Sequence, residues 1–466
     1  MMSLYVRFAL ACVCTGLGLV AQAKDSPTPN IADPQAVEEA KSGKRSTANA
    51  AWWGFNDLDS TDAIQGAIDS GAKTVIIPNV GKTWIVRPIM MRSDLELIFE
   101  PGVLVLAKKD EFQGGGDALF RAQDKSNITI RGYGATLRMR KKDYQNPPYK
   151  KAEWRMGLAF TGCKRITVEG LRIESSGGDG IYIGGGGALQ WCEDVVIRDC
   201  VSHDHHRQGI SIISAVNLLI ERCTFSGTSG TPPEAGIDFE PDAPYDRFTN
   251  CVVRDSVFED NQGHQILVYM KPQDATSKPI DIRFENCVTR QGKPGATLAD
   301  FTDMNERGWA GLSVGAIGDG TRGLVEFINC TTENTGKEGI KVYDKSADGA
   351  HVRFKNCTVT NPWVSSFRDY GGPRVPILIH LRRETITKKP GGIEFLDCYV
   401  YDNVFRPAVL HEEDKSYWGV RDVSGRIYVS NPAGARLRLG ESPKNVTLEI
   451  VDITPKAPEA KSGEPL

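Results

Sequence analysis

An all-β parallel solenoid with a short helix capping its N-terminal end is the fold class that the sequence predicts, and three observations carry it. A strand skeleton resembling Ile-x-Phe-x-Asn-Cys recurs nine times between Ile128 and Cys398, at intervals of 23 to 43 residues. Lying between these copies are turn–glycine–strand segments that align on Gly180, Gly209 and Gly236, each continuing Gly-Ile-x-Ile/Phe. Cys200, Cys223, Cys287, Cys330, Cys357 and Cys398 all fall at one place in the repeat. Strands that alternate apolar and polar residues at such a period stack coil upon coil, each burying its apolar face against its neighbours.

The elements follow in chain order. Arg7, the apolar run Phe8–Val20 and the small-residue site Ala21-Gln-Ala23 predict a secretory leader over 1–23 and a secreted or periplasmic protein. Residues 24–54 are polar and Pro/Ala/Lys-rich without sustained periodicity, which predicts a linker or loosely attached arm; Trp52 and Trp53 lie too far from any motif to interpret. Asp59–Ile68 reads as a short helix capped by Ser60 or Thr61, with Ile64 and Ile68 on one face. Strands are expected at Thr74–Pro78 and Thr83–Pro88, and the coils then run on, giving one domain over 55–454. Longer intervals carry excursions at 143–156, 291–309 and 362–374, and the Pro/Lys/Glu-rich tail 455–466 is expected to be disordered.

A net charge of −3 points to neither nucleic acid nor an anionic membrane as a partner, and past the leader no segment is apolar enough to span a bilayer. Nine cysteines remain beyond the leader, an odd number. An exported protein so rich in cysteine reads at first as a disulfide framework, but one repeated position reads instead as a stack of small buried thiols.

The Asp-Ser-Thr-Asp-Ala-Ile-Gln…Val-Ile-Ile-Pro opening followed by Ile-x-Ile-x-Gly/Asn-Cys rungs resembles the pectate-lyase-like superfamily of right-handed parallel β-helices over roughly 55–450. That resemblance implies a carbohydrate-active protein, with the nearest enzymatic likeness to polygalacturonase-type glycoside hydrolases. Ser176–Ile181 looks like their Asp-Gly-Ile segment and His206–Ser211 like their Gly-His-Gly coil. The chain departs from the pattern in lacking the paired Asp-Asp and the Arg-Ile-Lys motif, so a pectin substrate does not follow.

The residues themselves point the same way. With Ile237 and Phe239 inward, Asp238 and Glu240 face outward together, their Cα atoms roughly 6.6 Å apart. Two nearby carboxylates can protonate a glycosidic oxygen and activate water, and adjacency raises one of their pKa values. The same pair reads alternatively as a calcium cluster with Asp242 or as a solvated face. Asp179, two coils earlier, is a candidate second carboxylate, at a spacing that favours inversion. His205, His206 and Arg207 enter the intervening turn, His206 to tune a carboxylate and Arg207 to hold a substrate anion, with a zinc site as the sharper alternative. Next along the stack come His264, Tyr269 and Lys271, and the 149–156 segment offers Trp154 and Arg155 as a sugar platform.

Three functions are carried forward. The first is a glycoside hydrolase on an acidic or sulfated polysaccharide, using Asp179, Asp238 and Glu240 with no obligatory cofactor (calcium remaining open). Second is a polysaccharide lyase or C5-epimerase with Arg207, Lys271 or His206 in the proton-abstraction machinery. Third is a non-catalytic glycan-binding solenoid.

Overall fold

The computed structural model describes residues 31–296, 298–301, 308–364, 374–415, 417–432, 434 and 436–454. The predicted leader and tail, and most of the 362–374 excursion, lie outside them. Coils stack in parallel register: Ile166, Val195, Leu218, Cys251, Ile282 and Val325 pair in succession. A typical coil has three straights, Cys192–Arg198, Val201–His203 and Gln208–Ile212. The first two straights belong to a 24-stranded sheet and the third to a 12-stranded sheet running from Ile89–Met90 to Leu437–Arg438. Among the described residues no helix is long and apolar enough to cross a membrane.

The recurring Asn/Asp-Cys pair has a local cause. Asp199, Asp255, Asn286, Asn329, Asn356 and Asp397 turn the corner between the first two straights at φ between 50° and 56°. Asn and Asp tolerate this left-handed conformation better than most residues. Their side chains also bond from coil to coil, Asn329 Nδ2 to Asn286 Oδ1 at 3.1 Å and Asn356 Nδ2 to Asn329 Oδ1 at 2.8 Å. The next residue points inward, and all nine cysteines from Cys163 to Cys398 are free and buried. Phe284, Phe327, Phe354 and Phe395 stack beside them, with ring centroids 4.8, 5.1 and 5.3 Å apart. That is close to the spacing of adjacent strands, so one ring per coil fills the interior without a gap.

Residues 33–54 are not a loose arm. They form helix α1 (Pro34–Lys41), a strand Thr47–Asn49 that pairs with Thr74–Ile76, and a turn of 3-10 helix at Ala50–Trp53. Their buried residues are Ala36, Ala40, Ala48, Ala50 and Ala51, side chains too small to stand out as a hydrophobic pattern. Helix α2 (Thr61–Asp69) buries Ile64 and Ile68 as expected. Ser60 bonds back to Asn56 rather than into the helix, and Asp59 accepts the backbone N–H of Thr61. Trp53 packs across α2 at Gly66, where an added Cβ would come within 2.5 Å of the indole. The expected capping helix is α2, and α1 and a first strand extend the cap.

Candidate active site

The outer face of the 12-stranded sheet carries the site. Ile181, Ile210 and Ile237 stack inward in register, placing Tyr182, Ser211 and Asp238 in one outward column. Glycine precedes each isoleucine because a Cβ on Gly180, Gly209 or Gly236 would meet the carbonyl of the next coil at 2.6, 2.4 or 2.7 Å. Polar residues of three successive coils are thereby brought together under the 143–156 excursion.

Arg207 is the hub. Its Nη2 donates to Glu240 Oε2 at 2.6 Å, its Nη1 stands 3.6 Å from Asp179 Oδ2, and its Nε is 3.9 Å from Glu153 Oε2. Burial opposes its charge, but Asp179, Glu240 and Asp238 outweigh burial and raise its pKa. Asp179 is fully buried and neither carboxylate oxygen accepts a hydrogen bond. Burial pushes its pKa up to about 7, against the pull of Arg207.

Asp238 is also buried, and burial together with the charge of Glu240 holds its carboxyl well above the usual range. One amide nitrogen, Nε2 of Gln208, reaches Asp238 Oδ2 at 3.0 Å and Glu240 Oε2 at 3.4 Å. Asp238 Oδ2 is thus occupied as an acceptor, and Oδ1 is buried without a partner. A buried carboxyl whose pKa is raised therefore lies beside a carboxyl group ion-paired with arginine.

Both residues open onto a cleft of about 660 Å³. Pro232, Pro233 and Leu267 line it near the carboxylates, with His264 set edge-on against Trp309 at 5.0 Å. Burial, aided by Lys341, Lys337 and Arg382, keeps His264 neutral. At the far end Lys337, Lys341, Arg382 and Arg383 outnumber Glu338, which pairs with Lys341 at 3.6 Å, and leave it net cationic. Lys341 is three coils from Asp238 in the same column, roughly 14 Å at ~4.8 Å per coil. Buried Asp344 fixes the arginine end: its Oδ1 accepts the backbone N–H groups of Arg382 and Arg383 at 2.7 and 2.9 Å. Arg382 lies 4.1 Å over the Tyr343 ring, and Arg383 Nη1 donates to the Tyr269 hydroxyl at 2.8 Å.

The structure thus gathers Asp179, Arg207, Asp238 and Glu240, and places His264 and Tyr269 farther along the same cleft. Other expected site residues lie elsewhere. His205 points inward between the hydroxyls of Ser176 and Ser202 at 2.8 and 2.9 Å, fully buried, so it does not bind substrate. His206 turns to Thr231 Oγ1 at 2.9 Å and touches no carboxylate of the cluster. His203 bonds Ser226 at 2.9 Å, so the three histidines diverge and form no zinc site. Arg155 is buried between the rings of Tyr144 and Tyr149 and donates to the Phe112 and Lys150 carbonyls; it anchors its excursion rather than a sugar. Trp154 is exposed outside the cleft lining, as is Lys271 in the turn after Ile266–Tyr269. Arg207 stands between the Asp179 and Glu240 carboxylates as their positive partner. Glu153, Gln208, Lys337, Lys341, Arg382, Arg383 and Asp344 were not expected; only the outward-facing position of Lys341 in its strand was open to sequence reasoning.

Residues 150–301 match the family model described as right handed beta helix region. Two uncharacterized proteins of Bacillus subtilis (strain 168) align at 25% and 22% identity over 61% and 60% of this chain. The chain spans about half the length of these curated relatives, 49% and 48%. Among solved structures, the family 28 exopolygalacturonase of Yersinia enterocolitica superposes with a TM-score of 0.59 at 14% identity, covering 86% of this chain and 78% of that one. The A-module of the mannuronan C-5 epimerase AlgE6 of Azotobacter vinelandii gives 0.58 at 14%, covering 88% and 100%. The surface adhesin PfbA of Streptococcus pneumoniae gives 0.55 at 13%, covering 86% and 99%. Similarity this distant speaks to architecture alone. This chain is a right-handed parallel β-helix, the fold of the pectate-lyase-like proteins that its sequence resembles.

Proposed function

We propose that the cleft hydrolyses a glycosidic bond in an anionic polysaccharide. The observation that carries this is the unlike carboxyl pair: Asp238, buried and with its pKa raised, beside Glu240, ion-paired with Arg207. Asp238 serves as the acid that protonates the leaving glycosidic oxygen, and Glu240 acts as the carboxylate that activates water or stabilises the charge developing on the sugar. Asp179 touches no part of the cleft lining, so its role is to position Arg207. Lys337, Lys341, Arg382 and Arg383 supply the attraction for carboxylate or sulfate groups, and arginine can bind either bidentately. The distant structural neighbours include a polygalacturonase and a mannuronan epimerase, which supports a carbohydrate substrate.

A second reading has its own support. Tyr269, bonded by Arg383, and Tyr343, stacked under Arg382, join a phenol to a carboxylate-neutralising cation, the pairing that a uronate lyase or epimerase needs. Digestion of acidic and sulfated polysaccharides, read for both reducing ends and ultraviolet absorbance, separates the two. Hydrolysis yields reducing ends alone. Absorbance rising with the ends, from an unsaturated product, would move the chemistry to the tyrosine–arginine end.

A further inference from the structure

The cleft is asymmetric along the helix axis. Its lining begins at Asp238 and Glu240 and extends only toward the C-terminal coils, as far as Arg382 and Arg383. On the N-terminal side the Glu153–Arg207–Glu240 chain of ion pairs crosses the face, with Asp179 and Ser211 fully buried behind it. Glu153 belongs to the 143–156 excursion, which Arg155 clamps to the body through the Phe112 carbonyl at 2.8 Å. That barrier is therefore pinned on both sides, by the coil turn and by the anchored loop.

Beyond Arg383 the charge of the same face reverses. Glu412 pairs with His380 in strand register, and Asp414 meets the His380 ring at 2.6 Å. Glu412, Glu413 and Glu441 outnumber Arg438 in the lining of the next depression. A polyanion drawn in by the lysines and arginines thus meets a wall at one end and like charge at the other.

We infer that the site is a dead-end cleft that captures the terminus of an anionic glycan, so that the enzyme is exo-acting. This deepens the hydrolase reading and rests on it for the chemistry. The terminal sugar sits against the Arg207 barrier over Asp238 and Glu240, and the following units lie across Leu267 toward Lys341 and Arg383. Capture of a chain end has a consequence that an open groove lacks: the number of proteins bound per chain does not grow with chain length.

The test uses the Asp238→Asn protein with polygalacturonate and mannuronan fractions of defined length, stoichiometry being read by sedimentation, and the wild-type protein with the same polymers, products being sized. The expected result is one protein per chain at every length, with small terminal products released while solution viscosity holds. Several proteins per long chain, or internal fragments with falling viscosity, would overturn end capture even where reducing ends confirm hydrolysis. End binding with no cleavage by the wild-type protein would instead contradict the hydrolase reading and leave end capture standing. Failure to bind either uronate would overturn end capture of a uronate chain, and the hydrolase reading is then decided by the digestion of sulfated polysaccharides.

Discussion

The interior of the solenoid and the outer column of its 12-stranded sheet are built on one backbone repeat and obey opposite rules. Inside, coils repeat their neighbours, phenylalanine over phenylalanine at about 5 Å and buried cysteine in coil after coil, and at the exposed corner asparagine bonds to asparagine. Outside, at Tyr182, Ser211, Asp238, Leu267, Ser313 and Lys341, no residue type is carried from one coil to the next. The interior leaves only scattered hydroxyls such as those of Thr289 and Thr332 without partners among the described residues, whereas the site gathers Asp179, Gln208, Ser211 and Asp238 with buried polar atoms that lack partners. Burying polar atoms unpaired costs stability. The repetitive interior offsets that cost, and the difference marks where the chain departs from its own repeat for chemistry.

The comparison breaks most sharply at Asp238. Asp238→Asn is expected to lower kcat by roughly 10²–10⁴-fold, the range for loss of a general acid, while thermal unfolding shows stability unchanged or raised. An inner residue gives the reverse. Phe327→Ala is expected to destabilise by about 3–5 kcal/mol, measured by denaturant unfolding, with kcat retained in the folded protein. If Phe327→Ala lowered kcat while stability held, the division between the two regions would fail.

How much of this was open to reading from sequence follows the same division. The fold was legible because Asn/Asp-Cys corners and Gly-Ile strands repeat and so report each other's register. Asp179, Asp238 and Glu240 were legible as polar residues at outward or turn positions beside invariant inward ones. Direction within a turn was not: His205 and Arg155 look like site residues, yet both point into packing set by distant partners, Ser176 and Ser202 for one and Tyr144 and Tyr149 for the other. The arginine end was hidden because Arg382 and Arg383 reach the cleft through a turn that Asp344, 38 residues earlier, holds from the neighbouring coil. The N-terminal cap was hidden for a different reason, since alanines bury little area and leave a weak periodic signal.

Smaller effects sharpen the account. Asp344→Asn loosens the arginine turn without touching the carboxyl pair, so KM for an anionic polymer is expected to rise by about tenfold, ~1.4 kcal/mol, with kcat held; a fall in kcat alone would place Asp344 in the wrong role. Asp179 gives the pH dependence. Its folded pKa is raised from 3.8 to about 7, so its contribution to stability is fully present below the unfolded value and is lost as pH rises through the folded one. Between those values the wild-type protein is expected to lose stability relative to Asp179→Asn with a slope of up to ~1.4 kcal/mol per pH unit. Parallel pH–stability curves for the two proteins would remove Asp179 as a buried acid.

The central claim is that Asp238 keeps its proton at neutral pH beside the ion-paired Glu240. Infrared difference spectroscopy of the wild-type protein against Asp238→Asn at neutral pH reads that proton directly. The account predicts a protonated-carboxyl C=O band in the wild-type protein that vanishes in the variant. A difference spectrum showing only ionised carboxylate at this position would contradict it.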